Sequence, residues 1–382
     1  MKLLQKSLSY LLVAVLAAGV TLFFVGNEGQ AYSKLTELKS VIDYYFIDVA
    51  DSKAVEDAAA EAMVAALDDR WSYYMTAEEY RSYQEQMANA YVGIGVHVTK
   101  REDGYIDVVK VEENGPAAEA GVVSGDIVVA VDGQDVSGMT LDEVKNMVRG
   151  EEGTRVKLML KRNGEALTVE LERRAIQSIV ARGTMLKDNI GLVTIENFDS
   201  RCAEETLEVI EQLLEQGAKG LIFDVRFNPG GYKKELTKIL DYLLPEGVLF
   251  RSVDYSEKES TDMSDAQCLE IPMAVLINGD SYSAAEFFAA ALSEYGVARL
   301  VGEPTTGKGH FQSTFELSDG SAAVISIGKY CTPNGVSLTD VGLTPDIVVE
   351  VDDESYAQIY YGTLAPEEDP QIQAALNALL RE

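Results

Sequence analysis

The chain of 382 residues reads as an α/β (α+β) protein with a β-rich module set into it, and three observations predict this class. Apolar residues fall at helical spacing up to about residue 88. From Tyr91 they alternate with period two, amid rising glycine punctuation. Beyond residue 174, apolar strand-like runs and amphipathic helices take turns, the pattern of an α/β sheet. The length is enough for two or three domains with a sizeable core. A content of 47 % hydrophobic and 25 % charged residues is ordinary for a globular protein. The net charge of −31 is not. It argues against nucleic acid as a partner, because a phosphate backbone would be repelled. Any anionic group on a substrate must therefore be captured by local donors.

At the N-terminus, Lys2 and Lys6 precede the run "YLLVAVLAAGVTLFFVG", and no charge follows until Glu28. Residues 1–30 are predicted to be a signal or membrane anchor. The lysines on one side put the remaining chain outside the cytoplasm. An uncleaved anchor is the preferred reading, and cleavage near "GQA" at 29–31 with secretion is the alternative. Residues 31–90 read as a helical region, with Leu35, Leu38, Val41, Ile42 and Phe46 on one face. Thr76 and Glu79 form a capping box opening a helix that runs to Met87. The aromatic cluster of Trp71, Tyr73 and Tyr74 reads as packing.

Residues 91–174 form the β-rich module. Its strands include "YVGIGVHVT", "GDIVVAVDGQDV" and "TRVKLMLKRNGEALTVELER", with a short helix at "GPAAEAG" and a longer one capped by Thr140 and Glu143. Residues 175–352 are the α/β core, and 353–382 a helical tail. There Asp369 is the N-cap and Pro370 the first helical residue, and the stripe of Ile372, Leu376 and Leu379 must bury against something. Cys202, Cys268 and Cys331 are too scattered for a disulfide framework or a C-x-x-C pair. With only His97 and His310, a histidine-rich metal site is not expected.

Three signals could carry chemistry. "NGDSYSAAEFFAAALSEYG" places Ser281 and Ser283 where an apolar strand meets an alanine-rich helix. Ser283 and Glu286 match a capping box, so either an ordinary helix cap or a nucleophile at a helix N-terminus fits. "GEPTTGKGHFQ" offers Lys308 between two glycines. On an extended segment it shares a face with His310 and Gln312, and a lysine acts as a base once burial or a nearby cation lowers its pKa. On its own it reads first as a solvated loop lysine. "DVRFNPGG" ends a strand in a turn able to present backbone N–H groups to an anion, or to serve as a plain turn. Histidine is so scarce that a Ser-His-Asp triad starts at a disadvantage, and the recognised alternative is a serine–lysine dyad.

Together these segments resemble the carboxyl-terminal processing peptidases, the tail-specific proteases. The resemblance covers nearly the whole chain after the anchor. It runs through "WSYYMTAEEY", "YVGIGV", "PAAEAGVVSGDIVVAVDG", "VRGEEGT", "LIFDVRFNPGG", "SYSAAE", "VGEPTTGKGHFQ" and "GLTPDIVV" in order. That family places a lysine 25 residues after its nucleophile and a glutamine four further on, which selects Ser283, Lys308 and Gln312. The resemblance implies a peptidase core of the ClpP/crotonase-like fold with an inserted PDZ domain. It also implies an oxyanion hole from the N–H of Ala284 and one from Gly230 or Gly231, and no metal or organic cofactor. This sequence departs from the family pattern at Ala285, where a third serine is frequent, and at Phe227, where asparagine is. It departs again at Arg70 and Trp71, where proline and tyrosine are frequent.

PDZ domains add a peptide C-terminus as a strand and hold its carboxylate in a backbone nest. Here Val92, Gly93, Ile94 and Gly95 would donate N–H groups and Val96 would continue the pairing strand. Val144 and Val148 would wall an apolar pocket. The function implied is an extracytoplasmic serine endopeptidase that recognises polypeptides by a free, apolar C-terminus and cleaves them. A catalytically silent PDZ adaptor is the alternative. A crotonase-like acyl-transfer enzyme would share the core but leave the PDZ insertion without a purpose. By resemblance, the apolar stripes of residues 32–50 and 370–381 could pair two copies of the chain.

Overall fold

A computed structural model describes residues 33–112 and 115–380. Two units separate between Asp68 and Asp69. The first holds the helices Ser33–Tyr45 and Ser52–Ala65. Asp51 caps the second, its carboxylate accepting the N–H groups of Lys53 and Ala54 at 3.0 and 3.2 Å. Leu35, Leu38 and Val41 are exposed on the first helix. The expected anchor, residues 1–30, lies outside the described residues. Among the described residues no helix is long and apolar enough to cross a membrane.

The second unit is organised by a six-stranded sheet in the order Ala181–Met185, Ile190–Ile195, Gly220–Asp224, Met273–Ile277, Ala298–Gly302 and Ile347–Val348. The first pair is antiparallel and the others are parallel. Its central strands are continuous apolar runs because both faces are covered. Period two sorts their side chains. Val193, Ile195, Leu221, Phe223, Val275 and Ile277 meet the helices Cys202–Glu215, Lys233–Leu243 and Ala284–Glu294 on one face. Leu192, Ile222, Ala274, Leu276 and Val301 meet Ile372, Ala375, Leu376 and Leu379 of the helix Pro370–Leu379 on the other. The C-terminal stripe is thus consumed inside its own chain, so it is not free to pair two copies. Asp369 caps that helix and Pro370 opens it.

A five-stranded antiparallel sheet stands beside this core. In it Ala322–Cys331 pairs with Tyr73–Met75, Gly247–Asp254 and His310–Glu316. The β-rich module has its own sheet, in the order Val96–Lys100, Ile106–Val111, Ile127–Val131, Arg155–Arg162 and Glu165–Glu172. Val156, Leu158 and Leu160 alternate inward along its longest strand and fill a separate core. The strands leading into and out of the module, Ala90–Gly93 and Arg174–Gln177, pair antiparallel. The chain therefore leaves the α/β core and returns to it at one place.

Candidate active site

Ser283 lies just past the C-terminal end of the parallel strand Met273–Ile277, at the N-terminus of the helix Ala284–Glu294. Such strand ends are where α/β sheets place their ligands. Its backbone sits at φ 58°, ψ −125°, a conformation costing on the order of 1–3 kcal/mol for a residue with a Cβ. Several contacts hold it there. Ser281 is fully buried and donates its hydroxyl to the Val225 carbonyl at 2.7 Å, while accepting the Asn278 N–H at 3.1 Å. The Tyr282 N–H donates to the Asn228 carbonyl at 3.1 Å, and the Ser283 N–H to Glu286 Oε2 at 3.0 Å. The reverse contact, from the Glu286 N–H toward the Ser283 hydroxyl, completes a capping box in outline without forming a cap hydrogen bond.

The turn after strand Gly220–Asp224 presses against this serine. A methyl group on Gly230 would lie 2.7 Å from Ser283 Cβ and 2.8 Å from the Ala284 nitrogen, so only glycine fits. Its φ of +91° points the same way. The Gly230 N–H is committed to Asn228 Oδ1 at 2.8 Å. Gly231, at φ +147°, is laced to a neighbouring segment, with Phe198 N–H donating to the Gly230 carbonyl at 2.7 Å and Tyr232 N–H to the Phe198 carbonyl at 2.8 Å. At the start of the turn, buried Arg226 pairs with Asp224 and with Asp369 at the head of the last helix. Phe227 donates its N–H to Asn278 Oδ1 at 2.9 Å and packs edge-on against Tyr356 and Tyr360. Tyr356 in turn donates to Asp280 in the loop that leads to Ser283. Ala284 begins the helix, where first-turn N–H groups have no intrahelical acceptor and the dipole favours negative charge.

Lys308 stands in the loop before strand His310–Glu316. Its Nζ lies 4.6 Å from the centroid of Trp71 and 5.7 Å from that of Tyr282, the residue preceding the serine. The Arg70 guanidinium rests on the same Trp71 ring, 4.2 Å from its centroid. Burial is the largest influence and lowers the Lys308 pKa to about 8. The carboxylates of Asp69 and Glu286 pull it up, and Arg70 pushes it further down. Asp69 would itself be raised by burial, but hydrogen bonds from Ser72, Ser326 and the Trp71 N–H hold it below the ordinary carboxylate range.

Glu286, with no exposed surface, joins the two halves of the site. Besides the Ser283 N–H it accepts the N–H groups of Gly307 and Lys308 at 2.7 and 2.8 Å and the Thr305 hydroxyl at 2.5 Å. Burial raises its pKa against these four donors. Gln312 is placed differently from a simple extended segment. A register shift falls between Phe311 and Gln312, and the Gln312 amide nitrogen donates to the His310 carbonyl and to Ser326 Oγ, both at 3.1 Å. Its partner Ser326 belongs to the Asp69 network beneath the lysine.

In the β-rich module, Val92 and Gly93 are paired in register with Ala175 and Arg174. Gly95 takes φ +80°, and Val96 opens the strand Val96–Lys100, which forms one edge of the module sheet. The Ile94 and Gly95 carbonyls accept the N–H groups of Ala117 and Glu112 at 2.8 and 2.9 Å. Val144 is buried in the module core, with Val148 packed partly buried against it.

Trp71, Asp69 and Arg70 escaped the sequence reading as site residues. The departure from the family pattern at Arg70 and Trp71 was the available signal. Comparison with known proteins identifies the family. Residues 189–349 match peptidase family S41 and residues 108–162 match a PDZ domain. The chain is 33 % identical over 365 residues to the carboxy-terminal processing protease CtpA of Bacillus subtilis, covering 92 % of this chain and 78 % of that one. It is 32 % identical over 352 residues to a CtpA-like serine protease of Staphylococcus haemolyticus, covering 87 % and 70 %. Among solved structures, a photosystem II D1 C-terminal processing protease matches with a TM-score of 0.50 at 27 % identity, covering 84 % of this chain and 87 % of that one. The chain belongs to peptidase family S41, as a PDZ-bearing serine protease of the carboxyl-terminal processing kind.

Proposed function

We propose that this protease cleaves polypeptides with a Ser283–Lys308 dyad after its PDZ domain has taken hold of their C-termini. The observation that carries the reading is the lysine amine held among Trp71 and Tyr282 with a pKa of about 8, which makes it a usable base near neutral pH. Ser283 Oγ attacks the scissile carbonyl carbon while Lys308 Nζ takes the hydroxyl proton. The carbonyl oxygen gains negative charge and is met by the N–H groups of Ala284 and Gly231. Gly231 is favoured over Gly230 as the second donor because the Gly230 N–H already serves Asn228. The lysine returns its proton to the leaving amine nitrogen, and water releases the acyl group by the same steps in reverse. Gln312 positions the lysine indirectly, through Ser326 and the Asp69 network.

For the PDZ domain, the support is the open edge of strand Val96–Lys100 together with the Ile94–Gly95 loop. The carbonyls of that loop are engaged, while its N–H groups have no backbone acceptor among the described residues. A free carboxylate held there supplies the local donors that a chain of charge −31 requires. The reading includes a membrane anchor in residues 1–30 with the catalytic part extracytoplasmic. It also includes pairing of two copies through the exposed stripe of Leu35, Leu38 and Val41. Substrates identical except for C-terminal amidation test the PDZ role. Amidation is expected to lower kcat/KM about tenfold or more, the scale of lost hydrogen bonds to a charged group. Equal binding and equal rates would remove end recognition.

A further inference from the structure

Behind the turn that carries Gly230 and Gly231 lies a carboxyl group that the cleavage mechanism does not use. Asp199 is 3 % exposed, and its Oδ1 is buried without a hydrogen-bond partner among the described residues. A buried, unpaired carboxylate oxygen is costly, so its presence calls for a reason. The oxygen is aimed at the turn, since a methyl group on Gly231 would lie 2.6 Å from it. The backbone locks the two segments together through the Phe198–Gly230 and Tyr232–Phe198 hydrogen bonds at 2.7 and 2.8 Å. Among the described residues no cation acts on its charge. The nearest arginine in sequence, Arg201, pairs with Glu205 at 2.9 Å and donates to the Ser178 carbonyl at 2.6 Å.

We propose that Asp199 is a positioning residue for the oxyanion turn and must keep its proton for the enzyme to work. This rests on the Ser283–Lys308 reading with Gly231 as second donor. When neutral, Asp199 leaves the Gly231 N–H to the substrate oxygen. Once ionised, it sets a full negative charge behind the place where negative charge develops, and it competes for that N–H as the partner it lacks. Burial pushes its pKa to about 7, so the change falls within the working range of the enzyme.

Three tyrosines and a cysteine around it have pKa values raised above that window. Tyr83, from the helix Ala77–Met87, Tyr232 at the head of the helix Lys233–Leu243, and Tyr282 all have pKa values raised by burial and by the Asp199 charge. Cys202, at the start of the helix Cys202–Glu215, is pushed by burial to about 12, with Glu235, Asp199 and Glu205 adding to it. Glu235 is engaged by the Ala203 N–H at 3.0 Å. Lys308, at about 8, controls the opposite limb because it must be neutral to act.

The test compares kcat/KM of the full protein and Asp199→Asn from pH 6 to pH 9. Asparagine has the same shape and cannot ionise. The ratio of variant to wild type is expected to rise about tenfold or more across this range, as the wild type alone loses its neutral form. A ratio that stays constant overturns the proposal. A second measurement does not depend on that variant folding or on turnover. In Ser283→Ala protein, the Gly231 amide nitrogen shift is expected to titrate with a midpoint near pH 7, and no titration between pH 6 and 8 overturns the proposal. Cleavage by Ser283→Ala would instead sink the dyad, and it leaves the amide titration readable on its own.

Discussion

Lys308→Ala is expected to lower kcat/KM about 10³-fold, within the range a single general base contributes, while leaving the fold intact. Its amine stacks over aromatic rings rather than completing a buried hydrogen-bond network, so its removal leaves no polar partner stranded. The pH dependence follows from the same group. Burial holds the Lys308 pKa at about 8, below an ordinary lysine, and only the neutral amine can accept the serine proton. Activity must therefore fall on acidification, about tenfold per pH unit once the amine is mostly protonated. In Asp199→Asn protein, where this limb stands alone, its midpoint is expected near pH 8. A Lys308→Ala protein within tenfold of wild type would contradict the role. So would an acid limb centred above pH 10, where an unperturbed lysine titrates.

The second large effect concerns stability. Glu286→Ala is expected to destabilise the protein by on the order of 4 kcal/mol, because four donors, three buried and one half-buried, lose one acceptor and each stranded group costs about 1–3 kcal/mol. Those donors come from Ser283, Thr305, Gly307 and Lys308. The same carboxylate thus fixes the strained backbone of the serine and the backbone of the lysine loop against each other. Glu286→Gln keeps the shape and one acceptor oxygen but turns an amide toward N–H groups, so it is expected to lose less. The shift in urea midpoint measures both. An alanine variant within 1 kcal/mol of wild type would show that the donors find other acceptors.

This arrangement marks how far the sequence was legible. The apolar runs of the parallel strands, the capping boxes at Thr76 and Thr140, and the Asp369–Pro370 helix start were all readable, because each depends on neighbours within a few residues. The proposed pairing of Ser283 with Lys308 came only from spacing shared with a family, since no local rule joins residues on two separate loops. The capping-box match at Glu286 was correct in outline but incomplete. Sequence could not show that its carboxylate also gathers Gly307 and Lys308. Trp71 read as packing, and it does pack, but on the lysine amine, a contact between segments far apart in the chain. Asp199 carried no motif at all. Its unpaired oxygen sits beside the point where the fold brings Phe198 and Gly231 into backbone contact. The C-terminal stripe was legible as something that must be buried, while its position on the second face of the sheet required the strand order.

The central claim is that Ser283 is the atom source of the nucleophile and Lys308 its base. It is tested most directly by incubating the protein, Ser283→Ala and Lys308→Ala with an unfolded polypeptide bearing a free apolar C-terminus and sequencing the fragments. The account predicts fragments from wild type and an intact polypeptide with Ser283→Ala, with Lys308→Ala slowed about 10³-fold. Cleavage at the same bonds by Ser283→Ala at a wild-type rate would contradict it.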